Sequence, residues 1–297
     1  MVGMISLSVQ AQRVTDRLTR GLVAIPQGDK TGQDSNYGMS GSGIFVCWRK
    51  LPSDYFDTKY NLYRGTTRVA ENLTTTNYQD NDGTKTSKYK VVPVVKGVEQ
   101  TDKAVECTPW EHQYWDIKVQ KVLNRNGADV TSGYSLNDCS VADVDGDGEM
   151  EFVVKRRNGS GNLRSASNTT DFNLHECYKM DGTRLWWIDM GPNLMAGADE
   201  QFDLILYDWD QDGKAEALMR GADNMIIHTA SGKAIKIGDM TSGLNGIDRA
   251  EYMGVGNEFL LYLNGETGEP YDWDGSENWT PAAYPLPQFE TDETYGS

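Results

Sequence analysis

No stretch of this 297-residue chain approaches the roughly 18 to 20 consecutive apolar side chains that a bilayer-crossing helix requires, so no membrane span is expected. Positive charge is also scarce. The 28 Lys and Arg stand against 44 Asp and Glu, a formal net charge of −16. A surface of that sign repels phosphate backbones and anionic headgroups, which argues against nucleic acid as a partner. The four cysteines, Cys47, Cys107, Cys139 and Cys177, contain no Cys-x-x-Cys pair, so neither a zinc site nor a redox motif is encoded. A Cys47–Cys107 bridge is conceivable, and buried free thiols are at least as consistent with the spacing. Three histidines, His112, His175 and His228, are the whole stock. His175 and His228 fall on apolar strand patterns, where a core role is commoner than catalysis.

What the chain does have is 38% hydrophobic residues, 10% aromatics and 31 glycines, enough to bury a core and to punctuate it with turns. At roughly 150 residues per domain the length predicts two domains, and the pattern predicts an all-β fold. The apolar opening to Ala11-Gln12 ends in a small-x-small pattern, so residues 1–13 read as the remnant of a secretory signal. Export would make the protein secreted, periplasmic or cell-surface. Short strands follow at Ile44–Trp48, Tyr60–Arg64, Tyr89–Val95 and Ala104–Cys107, with turns at Asn81-Asp-Gly83 and Lys96-Gly97. Trp48, Tyr60-Asn-Leu-Tyr-Arg64, Asn77-Tyr-Gln-Asp80 and Tyr89-Lys-Val-Val-Pro-Val94 together resemble a fibronectin type III-like sandwich over residues 14–115, a support module with no necessary chemistry.

Beyond Trp115 the chain becomes repetitive, the strongest architectural signal a single sequence offers. Three segments read as hairpins, Glu176–Ile188, Ile226–Ile237 and Phe259–Gly268, turning at Asp-Gly, Ser-Gly and Asn-Gly. Such units suit the blades of a β-propeller. At about 40 to 45 residues per blade, residues 116–297 supply at most about four of the four to eight that close a ring. The stretch after Asn264 holds eight acids, four prolines and no Lys or Arg, with no clear closing strand. An incomplete propeller is expected.

Two acidic loops share one spacing: Asp143-Val-Asp-Gly-Asp-Gly-Glu-Met-Glu151 and Asp208-Trp-Asp-Gln-Asp-Gly-Lys-Ala-Glu216. Alternate carboxylates at positions 1, 3 and 5, a glycine at 6 and a glutamate at 9 concentrate hard oxygen ligands of the number and charge that suit Ca²⁺ better than Mg²⁺. The candidate side-chain ligands are Asp143, Asp145, Asp147 and Glu151, then Asp208, Asp210, Asp212 and Glu216, with the backbone carbonyls of Glu149 and Lys214 at position 7. An EF-hand needs its glutamate at position 12, where Val154 and Met219 stand instead. The ions would be mainly structural, cancelling carboxylates that otherwise repel.

The run Tyr134–Glu151, with Tyr178-Lys-Met-Asp-Gly-Thr-Arg-Leu-Trp186, Tyr207–Glu216, Arg20-Gly-Leu-Val-Ala24 and Phe259–Gly268, is similar to polysaccharide lyase family 11, the rhamnogalacturonan lyases. The resemblance implies an N-terminal β domain before an eight-bladed, calcium-rich propeller. It also implies cleavage of rhamnogalacturonan I, the pectic backbone of alternating rhamnose and galacturonate, by β-elimination, from a monomer when full length. This chain would hold the first domain and about three blades, and much of the family's cleft comes from later blades, so the 297 residues alone are expected to be inactive. Abstracting a proton at C5 builds charge on the galacturonate carboxylate and calls for a cation and a base. Lys155-Arg156-Arg157, with Arg164 nearby, is the densest basic patch that could face that carboxylate. By the resemblance, Asn137 matches a sugar-contacting asparagine and Lys155 a lysine at the strand end. Two departures stand out: Lys155-Arg156-Arg157 replaces the usual Lys-Trp-Asp, and Gly197-Ala-Asp199 replaces Gly-Ala-His. The base is unassigned. A calcium-stabilised propeller that binds glycan or protein without catalysis is the competing reading, which the missing histidine favours.

Overall fold

The computed structural model of the chain describes residues 18–28, 41–159, 167–194, 204–244, 257–281 and 285–286. The leader reading for residues 1–13, Arg164, and the Gly197-Ala-Asp199 segment lie outside the described residues. The chain divides into two compact units, Met1–Asp116 and Ile117–Ser297. Among the described residues the regular structure is strands and two short 3₁₀ turns, all-β as expected, and no sheet closes into a barrel.

The first unit contains β1 (Val23–Pro26), β2 (Ile44–Cys47), β3 (Lys59–Arg64), β4 (Thr67–Leu73), β5 (Asn77–Asp80), β6 (Tyr89–Val95), β7 (Val98–Glu99) and β8 (Val105–Cys107). They form a three-stranded sheet in the order β1-β2-β5 and a five-stranded sheet in the order β4-β3-β6-β7, with β8 also on β6. Period-2 alternation explains the layering: Ile44 and Val46 point inward from β2, and with Ala24 and Trp48 they meet Tyr60, Leu62, Tyr89 and Val91 from the other sheet in one core. Asp80, at the end of β5, is 5% exposed and ties the sheets together. It accepts bonds from Arg64 Nη1 at 2.9 Å and Tyr89 Oη at 2.8 Å. A second buried junction is Arg20, forked onto Asp54 at 2.8 and 3.0 Å, with Tyr60 donating to the same carboxylate at 2.9 Å. Strand β4, largely exposed, lacks an apolar run, which is why the sequence does not announce it.

The second unit contains β9 (Tyr134–Ala142), β10 (Glu151–Asn158), β11 (Leu174–Tyr178), β12 (Arg184–Asp189), β13 (Leu204–Tyr207), β14 (Glu216–Ala222), β15 (Met225–His228), β16 (Ala234–Ile237), β17 (Glu258–Leu263), β18 (Asn278–Trp279) and β19 (Pro285–Leu286). A seven-stranded sheet runs β18-β16-β15-β12-β11-β10-β9, and a four-stranded one runs β13-β14-β17-β19. Strands β9 to β12 are an antiparallel meander in chain order. The hairpins expected at Glu176–Ile188 and Ile226–Ile237 are β11–β12 and β15–β16. The third differs: β17 pairs along its length with β14, some forty residues earlier, and its local turn is closed by an isolated Leu263–Pro270 bridge and by backbone bonds from Asn264 N–H to Glu269 O and from Gly268 N–H to Asn264 O, at 2.9 and 2.8 Å. The stretch after Asn264 also carries two strands of two residues each, too short to show a period. The sheets share one core. Leu204, Leu206, Ala217, Met219, Leu261 and Leu263 face Val153, Trp186, Ile188, Ile227 and Ile235, while Ile205 and Tyr207 on alternate positions of β13 stay exposed.

All four cysteines are free. Burial raises the thiol pKa values of Cys47 and Cys107, the latter to about 11 with Cys47 contributing.

Candidate metal centres and sugar-facing residues

Each acidic loop begins on the residue after a strand and ends on the glutamate that opens the next, linking β9 to β10 and β13 to β14. Four of their internal hydrogen bonds coincide, and they differ at the other oxygen of the first aspartate, where Asp143 Oδ1 accepts Gly146 N–H at 2.7 Å and Asp208 Oδ1 accepts Asp212 N–H at 3.1 Å. The first aspartate accepts the N–H of the position-6 glycine, Gly148 onto Asp143 and Gly213 onto Asp208, both at 3.0 Å. The second accepts the position-5 N–H at 3.2 and 3.1 Å, and the third accepts the position-7 N–H, Glu149 or Lys214, at 2.8 Å in both loops. The closing glutamate accepts the position-2 N–H, Val144 at 3.0 Å and Trp209 at 2.9 Å. Positions 4 and 6 both adopt left-handed φ, Gly146 +77° and Gly148 +88°, Gln211 +66° and Gly213 +96°. These turns curl the chain so that alternate carboxylates converge.

In the second loop all four carboxylates, Asp208, Asp210, Asp212 and Glu216, bring ligand oxygens within 4.8 Å of one another. In the first loop Asp143, Asp145 and Glu151 do so, and Asp147 is not part of the cluster. Its carboxylate is taken by Glu149 N–H and by Lys179 Nζ at 3.1 Å, which together hold its pKa down. Lys179, on the β11–β12 turn, also bonds Asp145 and stands 4.0 Å from Glu151. The second loop carries a lysine of its own at position 7, Lys214, which turns to Glu266 at 2.5 Å. The two loops adjoin: Ala215 N–H donates to Asp143 O at 2.8 Å.

Glu151 and Glu216 are 2% and 1% exposed. Burial, opposed only in part by backbone hydrogen bonds, raises the Glu216 carboxyl and pushes Glu151 up to about 7. No described Lys or Arg pairs with any of the four carboxylates of the second loop. Four clustered carboxylates without a counter-charge, closed at the base by buried Glu216 and open to solvent at Asp210 and Asp212, are the chemistry that a divalent cation satisfies, so the donor set fits Ca²⁺.

The residues expected to face sugar separate into two groups. The β9–β10 register breaks between Val154 and Arg156, which lie opposite Cys139 and Leu136, so Lys155 meets Asn137 and Asp138 across a bulge. Bulges re-aim side chains, and this one brings Asn137 and Lys155 to one step of the ladder. Asn137 Oδ1 is buried with no hydrogen-bond partner among the described residues. Lys155 is 2% exposed and lies across from His175 on β11. Burial and the Lys155 charge pull the His175 pKa down to about 3, so the imidazole is neutral near pH 7.

Arg156 departs from expectation. It is buried, donates to Gln120 O and to Glu176 at 3.2 Å each, and shares that carboxylate with Arg184 at 2.7 Å. It is a core ion pair rather than a sugar-facing cation. Arg157, opposite Ser135, is half-buried on the same strand. Trp187 stacks on His228 with ring centroids 3.6 Å apart, and Trp186 is buried with its Nε1 donating to Gly265 O at 2.6 Å. Lys179 and Glu176 were not legible as site residues, because each meets its partners across strands and neither belongs to a spaced motif.

The model of the rhamnogalacturonan lyase family 11 C-terminal domain matches residues 114–283, and that of the rhamnogalacturonan I lyase β-sheet domain matches residues 13–110. Among curated proteins, the rhamnogalacturonan exolyase YesX of Bacillus subtilis (strain 168) is 34% identical over 263 residues, 87% of this chain and 39% of the relative. The rhamnogalacturonan endolyase YesW of the same organism is 34% identical over 264 residues, with the same shares. The crystal structure of YesW aligns with a TM-score of 0.65 over 86% of this chain and 41% of its own. That of a Bacillus licheniformis rhamnogalacturonan lyase aligns with a TM-score of 0.65 at 31% identity, over 88% of this chain and 42% of its own. The chain spans about two fifths of the length of these relatives.

Proposed function

The chain belongs to rhamnogalacturonan lyase family 11, and from that premise we propose that it is the N-terminal part of a polysaccharide lyase that cleaves rhamnogalacturonan I by β-elimination. One observation carries the reading most directly: in a chain of this family, the β9–β10 bulge sets a buried, unpartnered amide oxygen of Asn137 beside the Lys155 strand position. A sugar hydroxyl satisfies such an orphan acceptor, and a cation at Lys155 attracts the uronate carboxylate whose charge grows as the C5 proton leaves. Arg157, close by on the strand, adds positive charge there. Neutral His175 behind Lys155 does not oppose that charge.

In this reading Ca²⁺ is held by Asp208, Asp210, Asp212 and Glu216, and by Asp143, Asp145 and Glu151, with the Glu149 and Lys214 carbonyls completing the shells. The ion supplies charge neutralisation that fixes the strand ends. Residues 14–115 serve as a fibronectin type III-like support, and residues 116–297 as the first blades of a propeller, for which the four-strand meander β9 to β12 is the supporting feature. The substrate sits outside the cell in plant-derived polymer, so the protein is secreted, periplasmic or surface-bound, and when full length it is a monomer.

The test is a chimera in which the remaining length is supplied by one of the Bacillus relatives. With calcium it should produce the ultraviolet absorbance of unsaturated uronyl ends from rhamnogalacturonan I and none from neutral glycans. A folded, calcium-loaded chimera giving no such absorbance removes the lyase reading, and binding without new ends favours a non-catalytic glycan binder.

A further inference from the structure

We propose that Lys179 is the built-in counter-ion of the first acidic loop, and that it makes this loop the weaker and displaceable one of two otherwise matching calcium sites. The inference rests on the calcium reading above. It starts from a contrast between loops alike in spacing, in left-handed positions and in four of their internal hydrogen bonds. In the second loop four carboxylates converge with no described cation among them, and the loop's own lysine, Lys214, is drawn off to Glu266. In the first loop an ammonium from a different element stands among the oxygens. Lys179 Nζ bonds Asp145, bonds Asp147 at 3.1 Å and lies 4.0 Å from Glu151. With Asp147 facing the lysine, three carboxylates converge rather than four.

An ammonium is a compact charge with three donors, and it neutralises a carboxylate cluster without calcium's six to eight ligands. A divalent ion entering the first loop must take the same Asp145 and Glu151 oxygens. It then meets a like charge a few ångströms away, which repels it unless the lysine swings out. Lys179 is on a turn and 30% exposed by its side chain, so solvent is open to it. The second loop therefore fills first. The first loop keeps its shape when calcium is low and trades one internal charge for an ion when calcium is high.

Calorimetric titration of calcium into the full chain tests this. The wild type should show two affinities, with Asp210→Asn abolishing the tighter. In the Asp210→Asn background, Lys179→Met should tighten the remaining site by about tenfold or more, the scale of one relieved charge repulsion, and Lys179→Arg should leave it weak. Unchanged or weaker binding in the Lys179→Met version overturns the inference while leaving the calcium reading intact. No calcium uptake by any version overturns the calcium reading and the inference with it. A second readout needs no variant: mass spectrometry after brief amine acetylation should show Lys179 labelled several-fold faster in saturating calcium. Equal labelling with and without calcium overturns the inference.

Discussion

Single residues carry the loops, and the glycines at position 6 matter most. Gly148 and Gly213 sit at φ +88° and +96°, where an L side chain is strained. Replacing either by alanine should cost about 1–2 kcal/mol in chelator, read as a lower urea midpoint at unchanged slope. Ionisable residues give a second, signed prediction. Burial raises Glu151 from 4.5 to about 7, so in the calcium-free protein its contribution is full below pH 4.5 and is lost as pH rises to 7. Calcium reverses that, since the metal takes the ionised form. The gain in melting temperature on adding calcium should grow between about pH 5.5 and 8, and Glu151→Gln should flatten it. His175 and His228 are pulled down from 6.5 to about 3 and 4, mainly by burial. Their contribution is full above pH 6.5 and lost as pH falls through 4, so melts in chelator should drop again on the acid side.

At the scale of elements, the first meander is held by an ion cluster as well as by its ladder. Glu176 on β11 is fully buried and takes Arg156 from β10 and Arg184 from β12. Glu176→Gln leaves the Arg156 charge buried without a partner, a loss on the order of 3 kcal/mol. Urea unfolding checks it, and a cost below about 1 kcal/mol would show that Arg156 finds another anion. The β9–β10 bulge is the other element-scale device. It places Asn137 against Lys155, where a regular ladder would set them a step apart.

At the scale of the whole molecule, the acidic cages lie within Ile117–Ser297, and among the described residues Met1–Asp116 has none. Scanning calorimetry with a chelator should therefore lower the transition that reports the second unit and leave that of the first in place. A single transition moving as one would show that the units unfold together.

The parts readable from sequence were those written in neighbouring residues. The Asp-x-Asp-x-Asp-Gly-x-x-Glu spacing determines its own curl, since the hydrogen bonds that shape each loop run between residues two to seven apart. Strand β6 and the hairpins β11–β12 and β15–β16 announce themselves by local apolar runs and turn residues. Tertiary structure alone decided the pairing of β17 with β14, the burial of Arg156 against Glu176, and the arrival of Lys179 among the first loop's carboxylates. These contacts join distant segments, and their energy comes from burial and charge neutralisation, which leave no period or spacing along the chain.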